Sequence, residues 1–204
     1  MQNFEDTKFL VFNPVKNGDN LYYSKIMYDN SELILQMEKN NIEIDYENNN
    51  CKILPDENII NLINNINDYI IKNTSNNSKE WFGKEINEED CKKLFKSCIE
   101  ETLLNCYVDE DCQCYRNKKV LEIEKLSGSQ YGIPLIKCNA VIYTKGSFYI
   151  RWEMIEFKLK KKTEVKEEQI LESYSIVDIE TDKNPLDFYE SKAFVDKLNR
   201  LTLF

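Results

Sequence analysis

Apolar and polar residues alternate most regularly between residues 135 and 159, in two β-rich segments that flank a turn at residues 144–147. Within this turn, Gly146 is predicted to take the positive φ that tight hairpins need. The second segment has one apolar face, formed by Phe148, Ile150, Trp152 and Met154. After Met154 the apolar positions move by one residue, to Ile155, Phe157 and Leu159. A period of two that slips in this way predicts a bulge or a sharp bend, as where a strand leaves one sheet and closes a small barrel.

The preceding residues predict several strands followed by two helices. Residues 8–54 contain alternating runs, with Asp29, Asn30 and Ser31 as a hairpin turn. A helix is expected after Pro55 and Asp56, with its apolar residues at i, i+3 and i+4: Ile59, Leu62, Ile63, Ile66, Tyr69 and Ile70. A polar run at residues 73–78 is expected to end this helix. A second helix is expected from Asn87, with this apolar face: Cys91, Leu94, Phe95, Cys98 and Ile99.

The remaining segments complete an α+β pattern. Residues 106–119 are expected to form a loop or ragged hairpin, residues 120–126 a strand and residues 127–132 a turn. Further on, residues 161–170 predict a charged hinge, 170–179 a strand or docked arm, and 191–201 a short helix. Strands, then two helices, then strands are typical of the α+β class. The predicted division is a domain over residues 1–162, with a helical insertion at about 55–104, and a charged hinge with a docking segment over 163–204.

Composition excludes several classes of function. The 204 residues carry a net charge of −9, so any surface that attracts anions must be local. Because the chain has no histidine, it cannot contain a Ser-His-Asp or Cys-His nucleophile, an HExxH site or a His-containing zinc deaminase site. The absence of a secretory signal pattern and of a long apolar run, together with an odd number of cysteines, predicts an intracellular protein with reduced thiols.

Four of the seven cysteines lie close together in the sequence: Cys98, Cys106, Cys112 and Cys114. Thiolates are good zinc ligands, but this spacing contains no CxxC pair and no histidine can replace a missing ligand. We therefore predict free thiols, with neither a structural metal nor a disulfide.

The tripeptide at Glu156 and Lys158 has the E-x-K form in which metal-dependent nucleases hold a Mg²⁺ ligand and a positioning lysine. Asp109 or Asp111 would then supply a second ligand. Such tripeptides arise often by chance in a chain that is 31% charged. A nuclease is therefore the weaker alternative, and no catalytic residue or cofactor is predicted.

The polar face of the hairpin mixes flat rings with cations, and five of its residues are predicted to bind nucleic acid: Lys137, Tyr143, Lys145, Tyr149 and Arg151. Cations attract phosphates, and each stacked ring contributes ~1–3 kcal/mol per unpaired base. A similar mixture occurs at residues 107–119. An ordinary amphipathic hairpin with a solvated outer face has the same pattern, so the residues alone leave both interpretations open.

Three segments together resemble a known family: VFNPVKNGDNLYYSKIMYDNSELILQM, NNSKEWFGKEINEEDCKKLFKSCI and LIKCNAVIYTKGSFYIRWEMIEFKL. In this order they resemble an uncharacterised family of nucleocytoplasmic large DNA viruses, whose members are similar to the single-stranded DNA-binding proteins of short-tailed phages. The resemblance spans residues 9–160 and implies an OB-like small β-barrel with inserted helices and a short C-terminal strand and helix extension. Trp152 shares its face with Phe148, Ile150 and Met154 and is therefore predicted to lie in the core. Trp81 and Phe82 are predicted to be a core anchor at the entry to the second helix rather than binding residues.

The resemblance also implies a function: non-catalytic binding of single-stranded DNA in support of viral replication, recombination or repair. The implied partners are single-stranded nucleic acid, DNA rather than RNA, and viral replication proteins, with no membrane. The implied location is the host cytoplasm, a viral factory, the nucleus or the virion. The alternative is a structural or interaction protein of the virion on the same scaffold, which the acidic net charge favours.

Overall fold

The chain forms a mixed β-sheet with two helices. The computed structural model describes residues 6–18 and 20–161, which are mostly sheet and agree with an α+β fold. The helices are α1 (Glu57–Phe82) and α2 (Glu88–Leu94). The strands are β1 (Phe9–Val11), β2 (Val15–Lys16), β3 (Tyr22–Tyr28), β4 (Leu33–Gln36), β5 (Asn40–Asp45), β6 (Asn50–Ile53), β7 (Phe95–Lys96), β8 (Ile99–Glu100), β9 (Leu103–Arg116), β10 (Lys119–Leu121), β11 (Gly128–Tyr143) and β12 (Phe148–Leu159). The hinge, arm and helix predicted between residues 163 and 204 lie outside the described residues.

Five strands pair in a closed ring. The order is β5, β6, β9, β12 and β11, and β11 pairs again with β5. The pair formed by β9 and β12 is parallel, and the other four pairs are antiparallel. From this ring the sheet continues through β3 and β4, which pair with β11, to β1 and β2, which pair with β3. Both helices lie between β6 and β9 in the chain, and the apolar side of α1 enters the core.

The predicted slip in the second hairpin strand is confirmed as a bulge. Leu135 pairs with Glu156 and Ile136 pairs with Met154, so Ile155 is an extra residue of β12. The prediction for Gly146 is wrong, because this residue is not among those with positive φ. Thr144 closes the turn instead, because its backbone N–H donates to the Ser147 carbonyl at 2.8 Å and its hydroxyl does the same at 2.8 Å.

Helix α1 is longer than the sequence predicts. The polar residues at 73–78 do not end it, and it continues to Phe82 before Gly83 closes it with a left-handed φ of 69°. Two of these polar residues, Thr74 and Ser78, are buried. The Thr74 hydroxyl shares a hydrogen bond of 2.9 Å with the Tyr143 hydroxyl, and Ser78 accepts from the backbone N–H of Ile86 at 2.9 Å. Since these partners are distant in sequence or lie past the helix end, local polarity could not reveal them.

Helix α2 begins where the sequence predicts and ends early. The Asn87 side chain accepts from the backbone N–H of Asp90 at 2.8 Å, as a helix cap does. The helix ends at Leu94, so Phe95 and Ile99 lie on short strands rather than on its face. The ring of Phe95 packs 5.3 Å from that of Phe148, which shows tertiary pairing overriding the local helical pattern.

Residues 106–119, predicted as a loop or ragged hairpin, belong to an antiparallel hairpin of β9 and β10, and residues 127–132, predicted as a turn, are largely strand. Residues 106–119 contain most of β9, since its apolar side chains alternate into the core: Leu104, Cys106, Val108, Cys112 and Cys114. Residues 127–132 are largely the start of β11, which pairs with β5. The strand predicted at 120–126 is confirmed only to Leu121, and a short 3₁₀ helix (Ile123–Leu126) follows. Strand β9 matters for the candidate functional site, because it carries Tyr107, one of the aromatic rings of that site.

Trp152 is buried in the core, with 1% of its surface exposed, as the sequence predicts. Trp81 and Phe82 are half-buried against the same core, and the Trp81 indole N–H donates to the Asn13 side chain at 3.0 Å. Their packing against the core agrees with the predicted anchor, but they lie in the last turn of α1 and not at the start of α2. Neither of the described helices has the apolar stretch that a membrane crossing needs.

Candidate functional site

A groove opens beside β12 because the two parallel partners of this strand do not meet. Strand β7 pairs with β12 at Phe148 and Tyr149, and β9 pairs with it from Glu153 onward. Residues 150–152 border the opening between them. The groove has a volume of about 400 Å³, and the buried side chains of Ile150 and Trp152 form its floor.

Two tyrosine rings line the groove from neighbouring strands. Tyr107 of β9 is 37% exposed, whereas Tyr149 of β12 is half-buried. Burial, and after it the neighbouring Tyr107, raises the pKa of the Tyr149 hydroxyl above its usual value near 10. The Tyr149 hydroxyl is neutral at physiological pH, as at the ordinary pKa, and its burial extends this neutral range to higher pH.

Arg151 is fixed against one of these rings. Its guanidinium carbon lies 4.3 Å from the centre of the Tyr107 ring, a cation–π distance. Its Nε lies 2.7 Å from a carboxylate oxygen of Glu153, and that carboxylate is buried. Glu153 thus positions a cation at the edge of the groove, next to an aromatic face.

Two lysines and two amides complete the walls of the groove. Lys52 and Lys96 are exposed, and Asn50 and Asn105 present side chains that can donate and accept hydrogen bonds. Glu100 is the only acidic residue among the described residues that line the groove. The net charge of the residues that line the groove is therefore positive, although the whole chain carries a net charge of −9.

Acidic residues limit this cationic surface on one side. Strand β5 places Glu43 opposite Lys52 and Asp45 opposite Asn50. Together with Glu47, these carboxylates line a second depression next to the groove. These carboxylates repel anions, so the surface that can attract them lies on the side of the groove that faces β12.

The structure brings together some of the predicted binding residues. Tyr149 lines the groove, Arg151 borders it, and Lys137 lies opposite Glu153 on the same strand pair. Lys145 is exposed in the hairpin turn, away from the groove walls.

The placement of Tyr143 on the outer face is wrong. It is 5% exposed, its hydroxyl bonds to Thr74, and its ring lies 5.2 Å from that of Phe82. The cause is a second bulge: Cys138 pairs with Trp152 and Ala140 with Arg151, which leaves Asn139 as an extra residue. Beyond this bulge the faces of β11 exchange, and Tyr143 turns into the core.

Sequence reasoning missed four polar residues of the groove, Asn50, Lys52, Lys96 and Asn105, and noted Tyr107 only as part of the mixture at residues 107–119. Tyr107 and Asn105 could have been found by counting cysteine as apolar, because Leu104, Cys106 and Val108 then define a strand whose opposite face carries both. Nothing local marks Lys52 or Lys96, since strand pairing alone places them beside Tyr107 and Tyr149.

All seven cysteines are buried and free in the structure. Burial is the main cause that raises the pKa of Cys98 to about 12, and it raises the pKa of Cys106 and Cys138 as well. In residues 6–18 and 20–161, no three or more His, Cys, Asp or Glu side chains are arranged to hold a metal ion. The cysteines therefore act as small apolar core residues, and neither the zinc nor the nuclease alternative gains support.

We expect the thiols of the native protein to resist a thiol-specific disulfide reagent at mildly alkaline pH. All seven thiols are buried, which limits the access of the reagent. The thiolate is the reactive form, and the raised pKa of Cys98, Cys106 and Cys138 keeps these three thiols protonated at that pH. A colorimetric thiol titration should show slow reaction of the folded protein and rapid reaction of all seven thiols after denaturation. Rapid native reaction of several thiols would contradict this placement.

Comparison with known proteins places the chain in a family. Residues 30–178 match the model of a family of unknown function (DUF5871), so the chain belongs to this family. A search of curated proteins gave no match. Among solved structures, the single-stranded DNA-binding protein from bacteriophage Enc34, in complex with single-stranded DNA, is similar, with a TM-score of 0.41 and 13% identity over 75% of this chain and 97% of that chain.

Proposed function

We propose that the protein is a non-catalytic single-stranded DNA-binding protein and that the groove beside β12 is its binding site. The observation that carries this proposal is the joint placement of Tyr107, Tyr149 and Arg151 with Lys52 and Lys96 on one groove. Rings accept stacked bases of any sequence, and cations hold the phosphates between them. A duplex hides the base faces, so these rings favour unpaired strands.

The strand order supports the proposal. OB-type barrels have five strands, and oligonucleotides bind on their second and third strands and on the loops between strands one and two and between strands four and five. In the closed ring the second and third strands are β6 and β9, which carry Lys52 and Tyr107. The loop between strands four and five is the hairpin turn, which carries Lys145. The role in viral replication, recombination or repair, which the sequence resemblance implies, is part of the same proposal.

The two lysines provide an electrostatic test. Lys52→Ala and Lys96→Ala should each reduce the slope of log K against log salt by about 0.7, the value for one single-strand phosphate contact. Fluorescence anisotropy with a labelled single-stranded oligonucleotide at several salt concentrations measures this slope. Lys119→Ala is the control, because Lys119 is also exposed on a strand but does not line the groove. Equal slopes for all three variants and the parent would contradict the proposed path of the phosphates.

A further inference from the structure

The outer face of the sheet continues from the groove to the N-terminal strands. Ile142 of β11 lies opposite Tyr149 on one side and opposite Tyr23 on the other. Tyr23 in turn lies opposite Val15 of β2. Directly opposite residues share a face, so Tyr149, Ile142, Tyr23 and Val15 form one row across four strands.

A second row runs beside the first. Ala140 lies opposite Arg151 and Lys25, and the backbone N–H of Phe12 donates to the Lys25 carbonyl at 3.0 Å. Phe12 is therefore on the same face as Lys25. At the other end of this row, Arg151 covers the Tyr107 ring, so the row leads directly into the groove.

Exposed apolar side chains are concentrated on this face. Six large apolar side chains are exposed among the described residues, and four of them belong to it: Leu10, Phe12, Val15 and Tyr107. Leu10 lies opposite Met27. Met27 and Lys25 are two residues apart on β3 and share a face, so Leu10 lies on the same face as Lys25. Ala140 and Ile142, which lie between these side chains and the groove, are buried, so the exposed apolar groups form two patches, one at Tyr107 and one at the N-terminal strands. Exposed apolar patches mark binding surfaces.

We propose that the binding track for a single strand extends from the groove across β12, β11 and β3 to a second subsite at Phe12 and Val15. This inference rests on the proposed function. In the second subsite a further base stacks on the exposed ring of Phe12, and the exposed Lys25 contacts a phosphate between the two subsites. Five strand spacings separate β6 from the N-terminal strands, a path of ~24 Å that suits the short end of the 4–16-nucleotide range of such sites.

Continuity with the groove and the position of Lys25 favour a nucleic-acid strand over another occupant of this apolar surface. Lys25 lies in the same row as Arg151, between Ala140 and Phe12, so a cation lies next to an exposed ring at each end of the path. The acidic residues of β5 lie at the opposite end, beyond Lys52. A second copy of this chain is the competing occupant, and the experiment distinguishes it.

The test compares short and long oligothymidylates of about 2 and about 15 nucleotides, one below and one near the upper end of the ~4–16-nucleotide site-size range, by anisotropy with the full chain. The double variant Phe12→Ala/Val15→Ala should weaken binding of the long strand by about 5- to 150-fold, the equivalent of one lost base stack. It should leave the short strand, which the groove alone can hold, unchanged. Val120→Ala is the matched control for Val15, with 69% against 68% exposure and a position on β10, and should bind as the parent does.

Four results would overturn the inference, and one of them also overturns the proposed function. If the parent binds both strands and the double variant binds the long strand equally well, the second subsite is wrong while the proposed function stands. Equal loss for both lengths would place the defect in the groove or the fold. In a third outcome, light scattering shows that the parent is a dimer and the double variant a monomer, while both bind DNA equally well. That result would identify this face as a self-association surface. A parent that binds neither strand removes the proposed function together with the inference.

Discussion

Replacing Trp152 by alanine is expected to lower the free energy of unfolding by ~3–5 kcal/mol, the usual loss for a buried tryptophan or phenylalanine. Trp152 is 1% exposed and belongs to the same core cluster as Phe148, Ile150 and Met154. It also lines the floor of the groove, so its removal opens a cavity under Tyr107 and Tyr149. Urea denaturation followed by circular dichroism measures the loss.

Trp81→Ala is the matched control for Trp152→Ala, because Trp81 is the only other tryptophan of the chain and is half-buried at the end of α1. It makes one side-chain hydrogen bond to Asn13 and packs against Tyr143 at 6.2 Å. The loss of stability should be smaller than for Trp152. A Trp152→Ala variant as stable as the parent would show that this indole does not fill the core.

Removing both groove rings is expected to produce the largest loss of binding. Tyr107→Ala/Tyr149→Ala deletes two stacking surfaces, which together should weaken single-strand binding by ~2–6 kcal/mol, at least about 30-fold in Kd. The slope of log K against log salt should change little, because neither ring contacts a phosphate through charge. Anisotropy titrations at two salt concentrations separate these two quantities.

The double tyrosine variant needs a folding check and a control variant. Arg151 rests on Tyr107 and is paired with the buried Glu153, so the variant also removes the support of that cation and its folding must be checked by thermal denaturation. Tyr131→Ala, a change at a half-buried strand tyrosine outside the groove, is the control. Unchanged affinity in the folded double variant would show that bases do not stack in the groove.

Sequence patterns revealed those parts of the fold that depend on neighbouring residues. The alternation of β12, its bulge at Ile155 and the burial of Trp152 all follow from apolar spacing within a single strand. The Asp29–Asn30 turn is also local, since both residues take positive φ, at 50° and 61°, between the bridged residues Tyr28 and Ser31. The predicted hairpin of the flanking strands is wrong, because β3 and β4 pair with β11 and not with each other.

The errors arose where distant partners decide the structure. Helix α1 continues through a polar run because Thr74 and Ser78 find partners past the helix end and on β11. The second bulge, at Asn139, has no apolar slip to mark it, since Cys138, Ala140 and Val141 are all small or apolar. For that reason the alternation predicts the wrong face for Tyr143. The groove itself depends on how far β7 and β9 pair along β12, which strand patterns do not encode.

The most direct measurement of the central claim is the affinity of the parent protein for one oligonucleotide sequence as a single DNA strand, as the duplex and as RNA, at low and at moderate salt. We predict that the single DNA strand binds more tightly than the duplex at both salt concentrations, because Tyr107 and Tyr149 need exposed base faces. Affinity should fall as salt rises, in proportion to the phosphates held by Lys52, Lys96 and their neighbours. Equal or tighter binding of the duplex, or no binding of the single strand even at low salt, would contradict the account and favour a protein-interaction role for this surface.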